Sequence, residues 1–157
     1  IARQRGAGFV LDTSGPALAA AVAEGVDLIK PNLREMRELS GSDPSNAHEW
    51  EASAKALVAG GKVATVALTM GHLGAVLVTR NEVLRAPPIS ITPRSAVGAG
   101  DSFLAGLIWR LSSGASREDA FRLAVAAGAA ALIHPGTELC RIEDVERLAA
   151  GVTIEKV

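Results

Sequence analysis

Residues 8–41 read GFVLDTSGPALAAAVAEGVDLIKPNLREMRELSG, and this stretch decides the fold class. GFVLD, Gly8 to Asp12, is a short apolar run closed by an acid, the pattern of a buried strand. Ser14 and Gly15 then open an Ala-rich helix that stops near Gly25. VDLIK, Val26 to Lys30, reads as a second buried strand. Pro31 and Asn32 break it and start a helix that ends at Gly41. Strands alternating with helices predict α/β layers around a largely parallel sheet.

Downstream the alternation continues. SDPSNAHEW, from Ser42, reads as a loop that gives way to a helix over Glu49–Gly60, closed by Gly60-Gly61. Lys62 to Thr69 is a third strand. GAVLVT, Arg80-Asn81 and EVLRA together read as a hairpin. PPISITP is an irregular connection. From Gly98 the pattern turns helical, with Phe103, Leu107 and Leu111 on one face. Ser116 to Ile133 is another Ala-rich helix, HPGTELC a loop, and Glu143 to Ala150 a last helix, so the ending is expected to be all-helical. The chain opens on Ile1 rather than Met, and IARQRGAG reads as the tail of a helix whose start is missing. The expectation is a single α/β unit over 1–157, a fragment of a longer protein.

Composition narrows the function classes. Lys and Arg number 16 against 17 Asp and Glu, for a net charge of −1. No basic excess exists to neutralise a nucleic-acid backbone, and with aromatics at 3% there is no base-stacking platform. Hydrophobic residues at 48% and charged residues at 21% mark a globular chain. No apolar run is long and unbroken enough to predict a membrane span. The single cysteine, Cys140, excludes an internal disulfide and a multi-thiolate metal site. It fits a cytoplasmic setting, as does the lack of a recognisable targeting segment. His48, His72 and His134 lack metal-ligand spacing.

In parallel α/β sheets, ligands bind beyond the carboxyl ends of the strands. Four polar clusters are expected there, on one edge: Asp12-Thr13-Ser14, Lys30-Pro31-Asn32, Thr69-Met70-Gly71, and Ser95 to Asp101. Gly98-Ala99-Gly100-Asp101 is the strongest local signal. Small residues let backbone approach a ligand, and first-turn amides with the helix dipole make an anion hole. A carboxylate among them can take a hydroxyl proton while the amides hold phosphoryl charge. The plainer alternative is a Gly-rich turn with Asp101 complementing the dipole. Asn32 and Glu35 have the spacing of a capping box; alternatively Glu35 sits near a Mg²⁺-bound water. Lys30 could reach a phosphate as a point charge or be a solvated strand end. Gly71-His72-Leu73-Gly74 either lies along a nucleotide or turns the chain. There is no GxxxxGK[ST] and no GxGxxG after a strand.

KPNLREMREL (Lys30 to Leu39), TMGHLG (Thr69 to Gly74) and SAVGAGDSFLAG (Ser95 to Gly106) occur in this order. Together they resemble the C-terminal half of the ribokinase-like, PfkB-type sugar kinases. VGAGDSFLAG is similar to that family's C-terminal signature. Asn-x-x-Glu is similar to its magnesium-linked element. VLDTSGPAL, IKPN and GTELC have the flavour of its 6-phosphofructokinase branch. The resemblance runs from about Phe9 to Leu148.

The resemblance implies a three-layer α/β/α fold, of which this chain would be the nucleotide-binding half, without the lid. ATP and Mg²⁺ are the implied cofactors, with K⁺ a further candidate. Asp101 would be the catalytic base, and Gly98, Ala99 and Gly100 the anion hole. Lys30 and Asn32 would meet the ATP phosphates, and Thr69, Met70, Gly71, His72, Leu73 and Gly74 would line the nucleotide. Glu35 would hold Mg²⁺ through water. Ser95, Val97, His134 and Gly136 match loops that hold a monovalent cation. Two departures stand out. Ser95-Ala96-Val97 replaces the common Asp-Thr-Thr, and Ala96 removes a hydroxyl. The family's N-terminal half, with most sugar contacts, lies outside this chain. The implied reaction is phosphotransfer to fructose 6-phosphate. Tagatose 6-phosphate, fructose 1-phosphate and unphosphorylated sugars are alternative acceptors. The rival class is a nucleotide-binding module without catalysis. A homodimer is an option for the full-length protein.

Overall fold

The computed structural model describes residues 3–136, 138 and 140–157. Ile1 and Ala2 of the expected helix tail, and Thr137 and Leu139 of GTELC, lie outside the described residues. Arg3–Arg5 forms a single 3₁₀ turn rather than the end of an α-helix. The chain divides into two compact units, residues 1–83 with 157, and residues 84–156.

The first unit carries β1 (Val10–Leu11), α1 (Gly15–Glu24), β2 (Val26–Ile29), α2 (Leu33–Ser40), α3 (Ala47–Ala59), β3 (Val63–Thr69) and β4 (Ala75–Thr79). β1 lies parallel to β2, with Val10 opposite Leu28 and Leu11 opposite Ile29. β2 lies parallel to β3, and β3 antiparallel to β4 from Thr65–Thr79 to Thr69–Ala75. Strand–helix–strand connections force the first three strands to run the same way, whereas the short 3₁₀ turn Gly71–Leu73 lets β4 double back. The apolar faces of α1, α2 and α3 meet in one core. Leu18, Val22, Met36, Trp50, Ala54 and Val58 pack with Val26, Ile29, Val66 and Leu68 of the sheet. Each large side chain buried this way is worth roughly 1.5–3 kcal/mol of transfer free energy.

Local chemistry sets the helix ends. α1 has Ser14 as an extended N-cap and Pro16 in its first turn, where a missing N–H costs nothing. α2 begins with the expected capping box and ends at Gly41 in the left-handed region. α3 starts at Ala47, not Glu49 as the sequence suggested, because the Asn46 side chain accepts from the amides of His48 and Glu49, both at 3.1 Å. The tail of the expected loop is therefore the first turn of a helix, and it carries Trp50 into the core. β1 is also shorter than the apolar run Gly8–Asp12.

In the second unit, β5 (Val83–Ala86) pairs antiparallel with β6 (Glu155–Lys156), Leu84 opposite Lys156 and Arg85 opposite Glu155. The ending is therefore not all-helical. β6 is two charged residues long, too short for a period-2 pattern to register. α4 (Ala99–Ser112), α5 (Arg117–Leu132) and α6 (Ile142–Ala149) complete the unit. α5 packs on both other helices. Ser116 caps it by accepting from the Asp119 amide at 3.0 Å. Its run of alanines allows close approach: a Cβ at Gly106 of α4 would lie 3.3 Å from that of Ala127. Phe103 and Phe121 lock the two helices edge to face, with ring centroids 6.2 Å apart. Among the described residues, no helix is long and apolar enough to cross a membrane.

Candidate active site

Because β1, β2 and β3 are parallel, their carboxyl ends share an edge, and three of the four expected clusters lie on it. Backbone bonds tie them together. The Lys30 amide donates to the Leu11 carbonyl at 3.2 Å and the Thr69 amide to that of Pro31 at 3.1 Å. Asn32 and Thr69 form a parallel bridge beyond the strands.

Lys30 is not a solvated strand end. Its side chain is 5% exposed, and its Nζ lies 3.2 Å from Asp12 Oδ2. An ammonium removed from water needs such a counter-charge. The parallel register, with Leu11 opposite Ile29, sets Asp12 beside Lys30, and that register is a property of the folded sheet.

Asn32 and Glu35 satisfy each other. Asn32 Oδ1 accepts from the Glu35 amide at 3.0 Å, and Glu35 Oε2 accepts from the Asn32 amide at 2.9 Å. The capping box and a metal-linked role are compatible, since a carboxylate offers about four lone-pair sites and one is used. Glu35 also borders a cavity of about 280 Å³ between α1 and α2, walled by Leu18, Ala19 and Leu39. Among the described residues, no group of three or more His, Cys, Asp or Glu could chelate a metal directly. Mg²⁺ suits one or two carboxylates plus waters and phosphates, so this donor set fits an ion held largely through water.

The turn after β3 corrects part of the expectation. Met70 is fully buried and Leu73 packs on the same core. The Met70 amide is used by the Gly74 carbonyl at 2.8 Å, and the Leu73 and Gly74 amides are also bonded within the turn. The Met70 side chain cannot line a nucleotide, because it is spent on packing, whereas Leu73 is only partly buried. Gly71 and His72 are the exposed residues of the turn. Gly71 has φ +57°, where a side chain would be strained.

In the second unit, α4 opens on Gly98 in the left-handed region, φ +79°, with no side-chain cap. Among the described residues no side chain caps its first-turn amides, which suits an anion hole. Gly128 of α5 seats this helix start: a Cβ there would lie 3.2 Å from the Ala99 carbonyl oxygen and 3.3 Å from Phe103 Cβ. Asp101 is exposed. Among the described residues its side chain makes no hydrogen bond or ion pair.

The segment before α4 is tied to the end of α5, where the Leu132 carbonyl accepts from the Arg94 and Ser95 amides. Ser95 Oγ donates to the Gly136 carbonyl at 2.7 Å and accepts from the Val97 amide at 3.2 Å. Ser95, Val97 and Gly136 thus come together. The imidazole of His134 does not join them. It faces carboxylates, with Nε2 2.9 Å from Asp144 Oδ2 and Nδ1 3.9 Å from Glu138 Oε2. The Arg147 guanidinium and then His134 hold the Asp144 carboxyl below its ordinary range.

A family model described as "pfkB family carbohydrate kinase" matches residues 1–144. The chain is 41% identical over 147 residues to the ATP-dependent 6-phosphofructokinase isozyme 2 of Mycobacterium tuberculosis, covering 94% of this chain and 43% of that protein. It is 39% identical over 155 residues to the 1-phosphofructokinase of Rhodobacter capsulatus, covering 99% and 49%. Phosphofructokinase-2 from Escherichia coli, solved in complex with potassium, superposes with a TM-score of 0.90 at 34% identity, over 96% of this chain and 49% of that one. The chain spans about half the length of the relatives it matches. Its architecture is that of the ribokinase-like proteins, and with the family model covering most of its length, the chain belongs to the pfkB family of carbohydrate kinases.

Proposed function

We propose that this chain is the nucleotide-binding half of an ATP-dependent sugar phosphate kinase, with fructose 6-phosphate as the acceptor. The observation that carries the reading is Asp101, an exposed and unbonded carboxylate in the first turn of a helix whose amides lack a side-chain cap. Asp101 takes the proton of the acceptor hydroxyl as that oxygen attacks the terminal phosphorus of ATP and the bond to ADP breaks. The amides after Gly98 stabilise the charge on the phosphoryl group in flight. Lys30 and Asn32 meet the phosphates, and Gly71 and His72 lie along the nucleotide.

Glu35 would hold Mg²⁺ through water, and the ion would neutralise phosphate charge. The oxygens of Ser95 and Gly136, 2.7 Å apart, suit a monovalent cation near the same loop. The potassium complex of the E. coli relative supports that assignment. The 39% identity to a 1-phosphofructokinase favours one second reading, in which fructose 1-phosphate is the acceptor.

Steady-state assays on the full-length protein with ATP·Mg²⁺ decide. The highest kcat/KM is expected with fructose 6-phosphate. A higher value with fructose 1-phosphate moves the assignment to the second reading. Nucleotide binding without turnover of any sugar phosphate makes the protein a non-catalytic module. The 157-residue chain by itself is expected to phosphorylate none of them.

A further inference from the structure

Lysine is rarely buried without a partner, and Lys30 is buried at the edge where parallel sheets bind ligands. We infer that Asp12 is a positioning residue: its carboxylate, 3.2 Å from Lys30 Nζ, holds that ammonium at the strand ends, poised for the phosphates of ATP. The inference rests on the proposed function, in which Lys30 meets those phosphates.

Backbone geometry builds the pair. Leu11 and Ile29 are partners in the parallel ladder, and the Lys30 amide still bonds the Leu11 carbonyl at 3.2 Å. Asp12 and Lys30 therefore leave the sheet side by side. The Asp12 side chain is 26% exposed against 5% for Lys30, so the carboxylate is the more solvent-facing member of the pair. A lysine stem is long and rotamer-rich, and fixing it when a ligand arrives costs entropy. Here folding has already fixed it. A carboxylate so placed acts on nucleotide affinity through Lys30 and has no reason to alter sugar affinity.

The test is steady-state kinetics of the full-length kinase carrying Asp12→Asn, Asp12→Glu, Lys30→Met or Asp12→Asn with Lys30→Met, with thermal unfolding of each variant. Asp12→Asn should raise KM for ATP by roughly 5- to 30-fold, inside the range of about 2- to 150-fold for coupled neighbours, with KM for the sugar phosphate changed by less than about twofold. Asp12→Glu should recover part of the loss. Adding Asp12→Asn to Lys30→Met should cost nothing further. Unchanged KM for ATP in Asp12→Asn, or losses that add in the double variant, overturn the proposal. A fall in kcat alone overturns it too, since that marks a merely structural residue. If Lys30→Met leaves KM for ATP unchanged, the phosphate role of Lys30 fails first and the proposal falls with it. Should Asp12→Asn not fold, Asp12→Glu carries the test, because it keeps the charge while moving the ammonium; a wild-type KM for ATP there refutes the positioning role.

Discussion

At the strand ends of the first unit, the polar side chains are already bonded: Lys30 to Asp12, Asn32 and Glu35 to each other, Thr69 to the Pro31 carbonyl. At the start of α4 in the second unit, the candidate groups are bare backbone and one unbonded carboxylate, Asp101. The first edge is made of residues that hold the fold and offer chemistry at once. The second leaves its chemistry free by letting glycines and helix packing do the holding. Substitutions at the first edge should therefore move stability and function together, whereas at α4 the two should separate.

The sharpest way to break that contrast is Asp101→Asn in the full-length protein. Loss of general-base help should lower kcat by roughly 10²–10⁴. Stability should fall by no more than the helix-dipole term, about 0.3–1 kcal/mol. Near-normal turnover, or a large drop in the unfolding midpoint, would show that Asp101 is structural after all.

Next in size is Gly128→Val, which attacks the seat of α4 rather than its chemistry. The added Cβ alone would press on the Ala99 carbonyl at 3.2 Å and Phe103 Cβ at 3.3 Å. Overpacking of this kind costs about 1–3 kcal/mol. Turnover by the full-length protein should fall with it, since the strain falls on the first turn proposed as the anion hole. Urea unfolding reads the first effect and kcat the second. A variant that loses stability and keeps full activity would mean that α4's start is not held by this contact.

Why the second edge was legible and the first only in part follows from the same difference. Gly98-Ala99-Gly100-Asp101 announces itself because a left-handed residue, small neighbours and an acid in a first turn are all local requirements. The strand–helix alternation of residues 8–41 is equally local, so the parallel sheet could be read directly. The capping box of α2 was readable from its spacing. The Lys30–Asp12 pair was not, because it depends on which strands are neighbours and in what register. Met70 was misjudged for a related reason: a turn between two strands looks exposed in sequence, yet here this side chain folds under into the core. The early start of α3 came from an asparagine cap inside what read as a polar loop.

A smaller effect sharpens the first edge. Asn32→Ala removes the acceptor of the Glu35 amide and should cost about 1 kcal/mol of stability. If the edge truly combines both duties, KM for ATP should rise in the same variant. A stability loss with unchanged nucleotide affinity would reduce Asn32 to a cap.

The smallest expected effect is a difference in acid sensitivity. Three carboxyls of the second unit sit below their ordinary values: Glu118 through Lys156 and Arg122, Asp119 through Ser116, Asp144 through Arg147 and His134. In the first unit Glu49 does so, through Ser45. A carboxyl lowered in the folded state adds stability that is present above its unfolded pKa. That stability is lost as pH falls through the folded value, because protonation then favours the unfolded chain. The ordinary values are 3.8 for Asp and 4.5 for Glu, so the loss belongs below about pH 4.5. With more such groups on α5 and α6, the second unit should loosen first. Amide NMR spectra recorded from pH 7 downward should lose the resonances of α5 and α6 before those of β2 and β3, and Asp144→Asn should narrow the gap. The reverse order would mean that the tightly bonded strand-end edge, not the helical unit, is the acid-labile part of the chain.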